Sequence, residues 1–273
     1  MTSSSIKASD SDFDRQDWVS AYCNVDKELT NQELKAVKGS IPRELNGHFY
    51  RNGPGRLERN GQWVHHPFDG DGMIASFRFH EGKVNLTNRF VRTKEWEEEE
   101  KAGKFLYRGV FGTQKKGGIL NNLFDVRLKN IANTNVIKIG NQLLALWEAA
   151  SPHALDPVTL NTYGLSDLAG ALKKGEAFSA HPRFDPGHHG EQIMVNFGVN
   201  AGPKSTIRLM EFNSNGELAG ELISSRKDEV KGFAFLHDFA ITPNWAIFLQ
   251  NSILFNPIPF LLGMKGAGQC LSS

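Results

Sequence analysis

Residues 73–93 read MIASFRFHEGKVNLTNRFVRT. Two runs rich in Ile, Phe, Val and Thr flank Glu81-Gly82, a dipeptide suited to a tight turn. That pattern predicts an antiparallel hairpin. The same grammar extends in both directions. HFYRNGPG (48–55) is a strand running into a turn, and NTNVIKIGNQLLALWEA (133–149) is a second hairpin that turns at Gly140-Asn141. EQIMVNFGVN (191–200), TIRLMEFNSNGELAGELI (206–223) and AFLHDFAITPNWAIFLQN (234–251) continue the series. Many short strands joined by tight turns give an all-β class: sandwich, barrel or propeller. Helix is sparse. A short one is predicted over 166–175, where Ser166 caps an apolar stripe closed by Gly175, and another over 118–130.

The chain has 273 residues, 40% hydrophobic and 22% charged, enough to bury a sizeable core. Its 31 basic and 30 acidic side chains leave no basic footprint for nucleic acid. Cys23 and Cys270 form neither a disulfide framework nor a zinc pair, so a reducing, cytoplasmic setting is expected. Residues 1–20 are polar, without the apolar stretch of a secretory signal, and read as a disordered tail. No apolar run reaches the length of a membrane span. The nearest approach is SILFNPIPFLLGM (252–264), broken by Asn256, Pro257 and Pro259.

Familiar catalytic signatures are absent. There is no phosphate-binding glycine loop, nucleophile elbow, zinc-protease helix or dinucleotide fingerprint. What remains is two isolated histidines, His181 in AFSAHPRFDP (177–186) and His237 in GFAFLHDFAIT (232–242). A period of two places Phe233, Phe235, His237, Phe239 and Ile241 on one face. There His237 reads first as a core histidine satisfied by a neighbour, and second as a metal ligand. His181 precedes Pro182, which favours extended backbone, and divides likewise between a loop residue and a ligand. The two lie 56 residues apart (181 to 237), near the blade repeat of about 40–50 residues in propellers. Equivalent positions in successive blades converge on one axis. Glu148, in the apolar run LLALWEA (143–149), is either an outward strand glutamate or a carboxylate that orients a metal-bound histidine. His65, His66, Asp69 and Asp71 crowd WVHHPFDGDGM (63–73), but the doubled Asp-Gly favours turn chemistry over a mixed metal site. His188 and His189 read as loop residues.

Seven stretches together carry a resemblance. IPRELNGHFYRNGP (41–54), HHPFDGDGM (65–73), NIANTNV (130–136), LLALWEAASPHALDP (143–157), FSAHPRFDP (178–186), FAFLHDFAIT (233–242) and GAGQC (266–270) occur in the order found in the carotenoid cleavage oxygenase family. The resemblance implies a seven-bladed β-propeller with iron(II) on its axis, held by four histidines. His181 matches the first of them and His237 the second. Glu148 matches the glutamate that fixes a ligand histidine. Thr134 and Trp147 match positions near the substrate tunnel and the open iron site. The implied activity is cleavage of a conjugated double bond of an apocarotenoid by O2, giving aldehydes; a stilbene substrate is the alternative within the family. Peripheral membrane contact is expected through 252–264 and GVFGTQKKGGILNNLF (109–124), with buried packing as the competing account of both. No histidine follows His237, whereas the family's third and fourth ligands lie further on. The chain is therefore expected to be the first half of such a protein, with residues 21–273 a partial propeller truncated at its C-terminus. The alternative expectation is a non-catalytic propeller fragment that binds apolar ligand or membrane.

Overall fold

The computed structural model describes residues 21–186, 192–202, 204–233 and 235–272. The predicted tail, His188 and His189 lie outside these. β1 (Gln32–Leu34) and β2 (Gly47–Arg56) precede a small ribbon, β3 (Glu58–Arg59) with β4 (Gln62–Trp63), and the hairpin β5 (Asp71–His80)–β6 (Lys83–Phe90). They form an antiparallel sheet ordered β1-β6-β5-β2. The hairpin turn is the one the sequence predicts. Glu81 and Gly82 have φ of 48° and 75°, the left-handed pair whose twist matches that of the strands.

The second sheet is a meander of β7 (Asn135–Ile139), β8 (Gln142–Leu146), β9 (His153–Leu155) and β10 (Thr162–Leu165). The third is a meander of β11 (Arg183–Asp185), β12 (Ile193–Asn200), β13 (Lys204–Asn213) and β14 (Leu222–Lys231). A further hairpin, β15 (Phe239–Thr242)–β16 (Trp245–Phe248), and a short pair, β17 (Leu254–Phe255) with β18 (Leu271–Ser272), follow.

The sheets stack face to face, and the sequence shows why. In β8 the run QLLAL is apolar at consecutive positions because both of its faces are buried. Leu143 and Ala145 pack with Ile74 and Val91 of the first sheet's region, while Leu144 and Leu146 pack with Met194, Met210 and Phe212 of the third. The third sheet repeats the division. Val195, Phe197 and Ile207 turn instead toward Phe239. Successive residues point to opposite faces, so one strand serves two interfaces. The outermost strand, β14, is exposed along nearly its whole length and carries five charged residues in LISSRKDEVK, which suits an edge.

One edge strand of each sheet, β2, β7, β11 and β15, is tied to the next by side chains that donate to backbone. Asn52 Nδ2 of β2 donates to Asn135 O of β7 at 2.8 Å. Asn135 Nδ2 donates to Ala180 O, just before β11, at 2.8 Å. Arg183 Nε of β11 donates to Phe239 O of β15 at 2.9 Å. His181 and His237 stand at the lead-ins to β11 and β15 of this row.

DGDGM serves this stacking. Gly72 N donates to Ile131 O at 2.8 Å, and a Cβ on Gly72 would lie 2.2 Å from Ala132 O. Asp69 is the buried acceptor of the Phe111 and Thr113 N–H groups and of the Thr113 hydroxyl. Asp71 is not the turn residue the sequence suggests. It opens β5 and enters a buried ionic cluster, with Arg59 Nη2 at 2.9 Å and Lys129 Nζ at 2.5 Å. Glu99 completes the cluster, 2.5 Å from Lys129 Nζ.

Three local expectations change. Residues 166–175 are turns rather than a helix, because Leu168 and Ala169 take φ of 50° and 53°, outside helical space. Leu168 and Leu172 still bury their side chains against the third sheet. The helix expected over 118–130 shrinks to Ile119–Asn122. A helix unforeseen in the sequence spans Lys94–Ala102. Thr93 caps it by accepting from Trp96 N, acids fill its first turn, and Gly103 closes it in the left-handed region.

His153 of β9 is buried, its Nδ1 has no hydrogen-bond partner, and burial lowers its pKa to about 4. An unfolded histidine takes up its proton near pH 6.5. Between these values the unfolded chain binds more protons, so the stability present above pH 6.5 falls as pH drops toward 4. His153→Leu is expected to remove about 3 kcal/mol of that acid sensitivity, read from urea midpoints at pH 7 and pH 4. An unchanged pH dependence would rule out this residue as the acid-sensitive group.

Candidate metal centre

Glu148 follows β8 directly, two residues beyond Leu146, whose N-terminal neighbours are locked in the core. His181 stands at the lead-in to β11. Its approach is held on both sides: Ser179 N donates to Phe197 O at 2.7 Å, and Asn196 Nδ2 donates to Ser179 O at 2.8 Å. Pro182 keeps the segment extended. His237 occupies the matching place ahead of β15. The uninterrupted strand face expected over 233–241 does not form. The strand begins only at Phe239, and Phe233 and Phe235 line a cavity while Phe239 joins the core. The His237 side chain is 59% exposed, so it is not a core histidine.

The three side chains converge. His237 Nδ1 donates to Glu148 Oε1, and His181 Nε2 lies 3.8 Å from that oxygen. The two imidazole centroids are 4.4 Å apart at 62°. One ligand atom from each residue lies within 4.8 Å of the others. With His237 Nδ1 donating to a carboxylate, its Nε2 carries the free lone pair, the arrangement of a histidine set up as a ligand. His181 Nε2 is buried and has no hydrogen-bond partner. Burial lowers the His181 pKa, and the neighbouring His237 adds to this. The neutral ring that results is the form that binds a metal. Burial pushes the Glu148 carboxyl up, against the pull of His237. Two imidazole nitrogens and a carboxylate oxygen, without thiolate, fit a first-row divalent metal such as iron(II). The orphaned His181 nitrogen is the feature that such an ion explains.

A clamp that the sequence reading missed holds the pair in register. Arg183 Nη2 lies 2.7 and 2.6 Å from the two carboxylate oxygens of Asp238, and Asp238 Oδ1 accepts from Phe239 N at 2.7 Å. Arg183 is two residues past His181 and Asp238 one past His237, so each histidine is followed by one member of an ion pair. The available signal was that pair of opposite charges in HPRFDP and HDF.

Thr134 N donates to Leu146 O at 3.1 Å and its hydroxyl to Asn133 Oδ1 at 3.3 Å. Trp147 is buried and lines a cavity with Asn130, Ser151 and His153 that shares Leu128 and Ala149 with the aromatic cavity beside Glu148. Glu148 borders that aromatic cavity, of about 290 Å³, walled by Phe111, Phe233, Phe235, Phe255 and Phe260. It is the only charged residue in that wall among the described residues. His65 and His66 play other parts: His65 Nε2 lies 3.0 Å from Gln269 Nε2, and the His66 ring accepts from Phe68 N.

The apocarotenoid-15,15'-oxygenase of Synechocystis sp. is 47% identical over 95% of this chain, which covers 53% of that protein. Resveratrol cleavage oxygenase 1 of Aspergillus fumigatus is 34% identical over 83% of the chain and 42% of its own length. The cobalt-substituted Synechocystis apocarotenoid oxygenase superposes with a TM-score of 0.89 at 48% identity, over 94% of this chain and 53% of that one. This chain thus spans about half the length of the curated relatives it matches. The antiparallel sheets described above are those of the β-propeller that these neighbours share. The family described as retinal pigment epithelial membrane protein (RPE65) matches residues 22–273, and the chain belongs to it, the carotenoid cleavage oxygenases.

Proposed function

We propose that this chain serves a non-haem iron(II) oxygenase that splits a conjugated double bond of an apocarotenoid with O2, giving two carbonyl products. The observation that carries the reading is the Glu148–His237–His181 cluster at the wall of an aromatic cavity. His181 and His237 would hold the metal, and Glu148 would fix the His237 ring through its Nδ1–H. Iron(II), when bound, supplies the dioxygen chemistry. The chain's own residues do the rest. Phe233 and Phe255 stack at 5.0 Å, and with Phe111, Phe235 and Phe260 they offer an apolar slot for a polyene and keep water from the reacting bond. The Arg183–Asp238 pair sets the distance between the two ligand positions.

Mass spectrometry of products formed by the iron-loaded full-length protein from a panel of apocarotenals and stilbenes tests this. Paired aldehyde fragments from apocarotenals are expected. Cleavage confined to stilbenes moves the substrate class within the family, and an iron-loaded protein that leaves the whole panel intact overturns the reading.

A water-insoluble substrate also calls for a lipid contact. Among the described residues no helix is long and apolar enough to cross a membrane. The segment 252–264 divides its residues instead. Phe260 is buried and Phe255 lines the cavity, while Ile258, Leu262 and Met264 are exposed. Phe124 N donates to Leu261 O at 2.8 Å, which brings exposed Ile119, Leu120 and Phe124 alongside. These two segments form the proposed peripheral membrane patch. Leu120→Ser/Phe124→Ser/Ile258→Ser is expected to lower liposome co-sedimentation several-fold without shifting the unfolding midpoint. Undiminished binding would remove the patch from the membrane contact.

A further inference from the structure

A second cavity, of about 400 Å³, lies against the aromatic one and shares Ala149 and Val199 with it. It sits between the loop 173–177 and the β12–β13 end of the third sheet. Its lining is cationic. Lys173, Lys174, Arg208 and Lys227 face it, with Glu176 as the only carboxylate among the described residues. Arg208 Nη1 donates to Glu176 at 2.9 Å and to Ala171 O at 2.9 Å. Burial pushes the Glu176 carboxyl up, but the Lys173 N–H, Arg208 and Lys227 outweigh it and leave the pKa lowered. Glu176 is therefore ionised and offsets one of the four cations, leaving three in excess.

The strand register sharpens the point. Arg208 of β13 and Lys227 of β14 are directly opposite each other, a like-charge placement that destabilises a sheet. An anion bound between them would relieve it. Among the described residues the aromatic cavity next door has no cationic side chain in its wall. An amphiphile with an apolar chain and a charged end would therefore find its two halves served by adjoining spaces that meet at Ala149.

We propose that this cationic pocket binds the carboxylate of a polyene acid whose chain lies in the aromatic cavity. The inference rests on the polyene reading above and extends its substrate class to acids. The shared chemistry is an anionic group on an apolar chain, which a lipid headgroup also offers, and the test separates the two.

Tryptophan-quenching titrations of the full chain with retinoic acid and with retinol compare one polyene with and without the charge. The acid is expected to bind at least about tenfold more tightly, the size of several charge-assisted contacts to partly exposed cations, and the gap is expected to narrow at high salt. Lys173→Gln/Lys174→Gln/Lys227→Gln, all exposed positions outside the metal cluster, is expected to abolish the gap and leave retinol affinity unchanged. Equal affinities in the parent chain, or a triple variant that weakens both ligands alike, overturn the proposal. So does a variant that loses binding only to phosphatidylglycerol vesicles while retinoic acid binding persists, because the anion is then a headgroup. A parent chain that binds neither polyene overturns the cavity reading itself, and the carboxylate site with it.

Discussion

Replacing Glu99 with alanine is expected to cost about 3–5 kcal/mol of folding stability, the range for removing one partner from a buried ionic group. Glu99 is fully buried. Its Oε2 accepts from Lys129 Nζ at 2.5 Å and lies 3.5 Å from Arg59 Nε. Its Oε1 accepts from Leu106 N at 2.8 Å and Tyr107 N at 3.1 Å. Lys129 and Arg59 are each about 4% exposed at the side chain, so the variant leaves Asp71 as the one carboxylate on Lys129 and shares Arg59 between Asp71 and the half-exposed Glu100. It also strands two backbone donors, Leu106 N and Tyr107 N, in the segment that follows the Lys94–Ala102 helix. Glu99→Gln keeps an acceptor for those N–H groups and removes only the charge, so a smaller loss is expected. Glu99→Leu/Lys129→Met removes charges of both signs and is expected to recover most of the loss, because apolar replacements of buried ion pairs are often neutral. Urea midpoints of the three variants decide it. An alanine variant that unfolds with the parent would show the cluster to be hydrated and unimportant to stability.

That cluster also shows where sequence reading stops. The strands were legible because their signal is local: alternation in MIASFRF, a turn pair in Glu81-Gly82, and a doubly apolar run in QLLAL. The Lys94–Ala102 helix was missed although its cap and stop are written plainly in Thr93 and Gly103. EWEEEEK has a single large apolar residue, Trp96, and a stripe-based reading finds no buried face there. What places the helix is an acid, Glu99, buried against Lys129 and Arg59 from 30 and 40 positions away, and no local pattern announces such a partnership. Residues 166–175 fail in the opposite sense. The apolar spacing of Leu168 and Leu172 is real and both are buried, but left-handed backbone at Leu168 and Ala169 delivers them to the core without a helix.

The site divides along the same line. His181, His237 and Glu148 were named from a set of motifs, and the fold brings them together. Periodicity alone left each histidine with two readings, because an isolated imidazole says nothing until its neighbours in space are known. The Arg183–Asp238 clamp was within reach of a reader who asked which charges flank each histidine. The cationic pocket was not, since Lys173, Lys174, Arg208 and Lys227 come from three separate segments.

Glu148→Gln is expected to lower divalent-metal affinity by about 10–100-fold, the usual loss when a group that orients a ligand histidine is neutralised. The substitution keeps the volume and an amide oxygen near His237 Nδ1, so the ring is not freed by a cavity. It removes the negative charge that strengthens the N–H···O bond and draws electron density toward His237 Nε2. The same oxygen stands 3.8 Å from His181 Nε2, so the loss of its negative charge is felt there as well. The effect therefore falls on both imidazoles of the cluster rather than on one. Cobalt(II) titration followed by visible absorption reads affinity without requiring turnover, and His237→Ala sets the scale for loss of a whole ligand. An intermediate value for Glu148→Gln, with the unfolding midpoint unchanged, marks a positioning role. A loss equal to that of His237→Ala would make the carboxylate a ligand in its own right. Cobalt affinity equal to that of the parent chain would show that His237 is oriented without Glu148, leaving the Arg183–Asp238 clamp as the element that holds the second ligand in place.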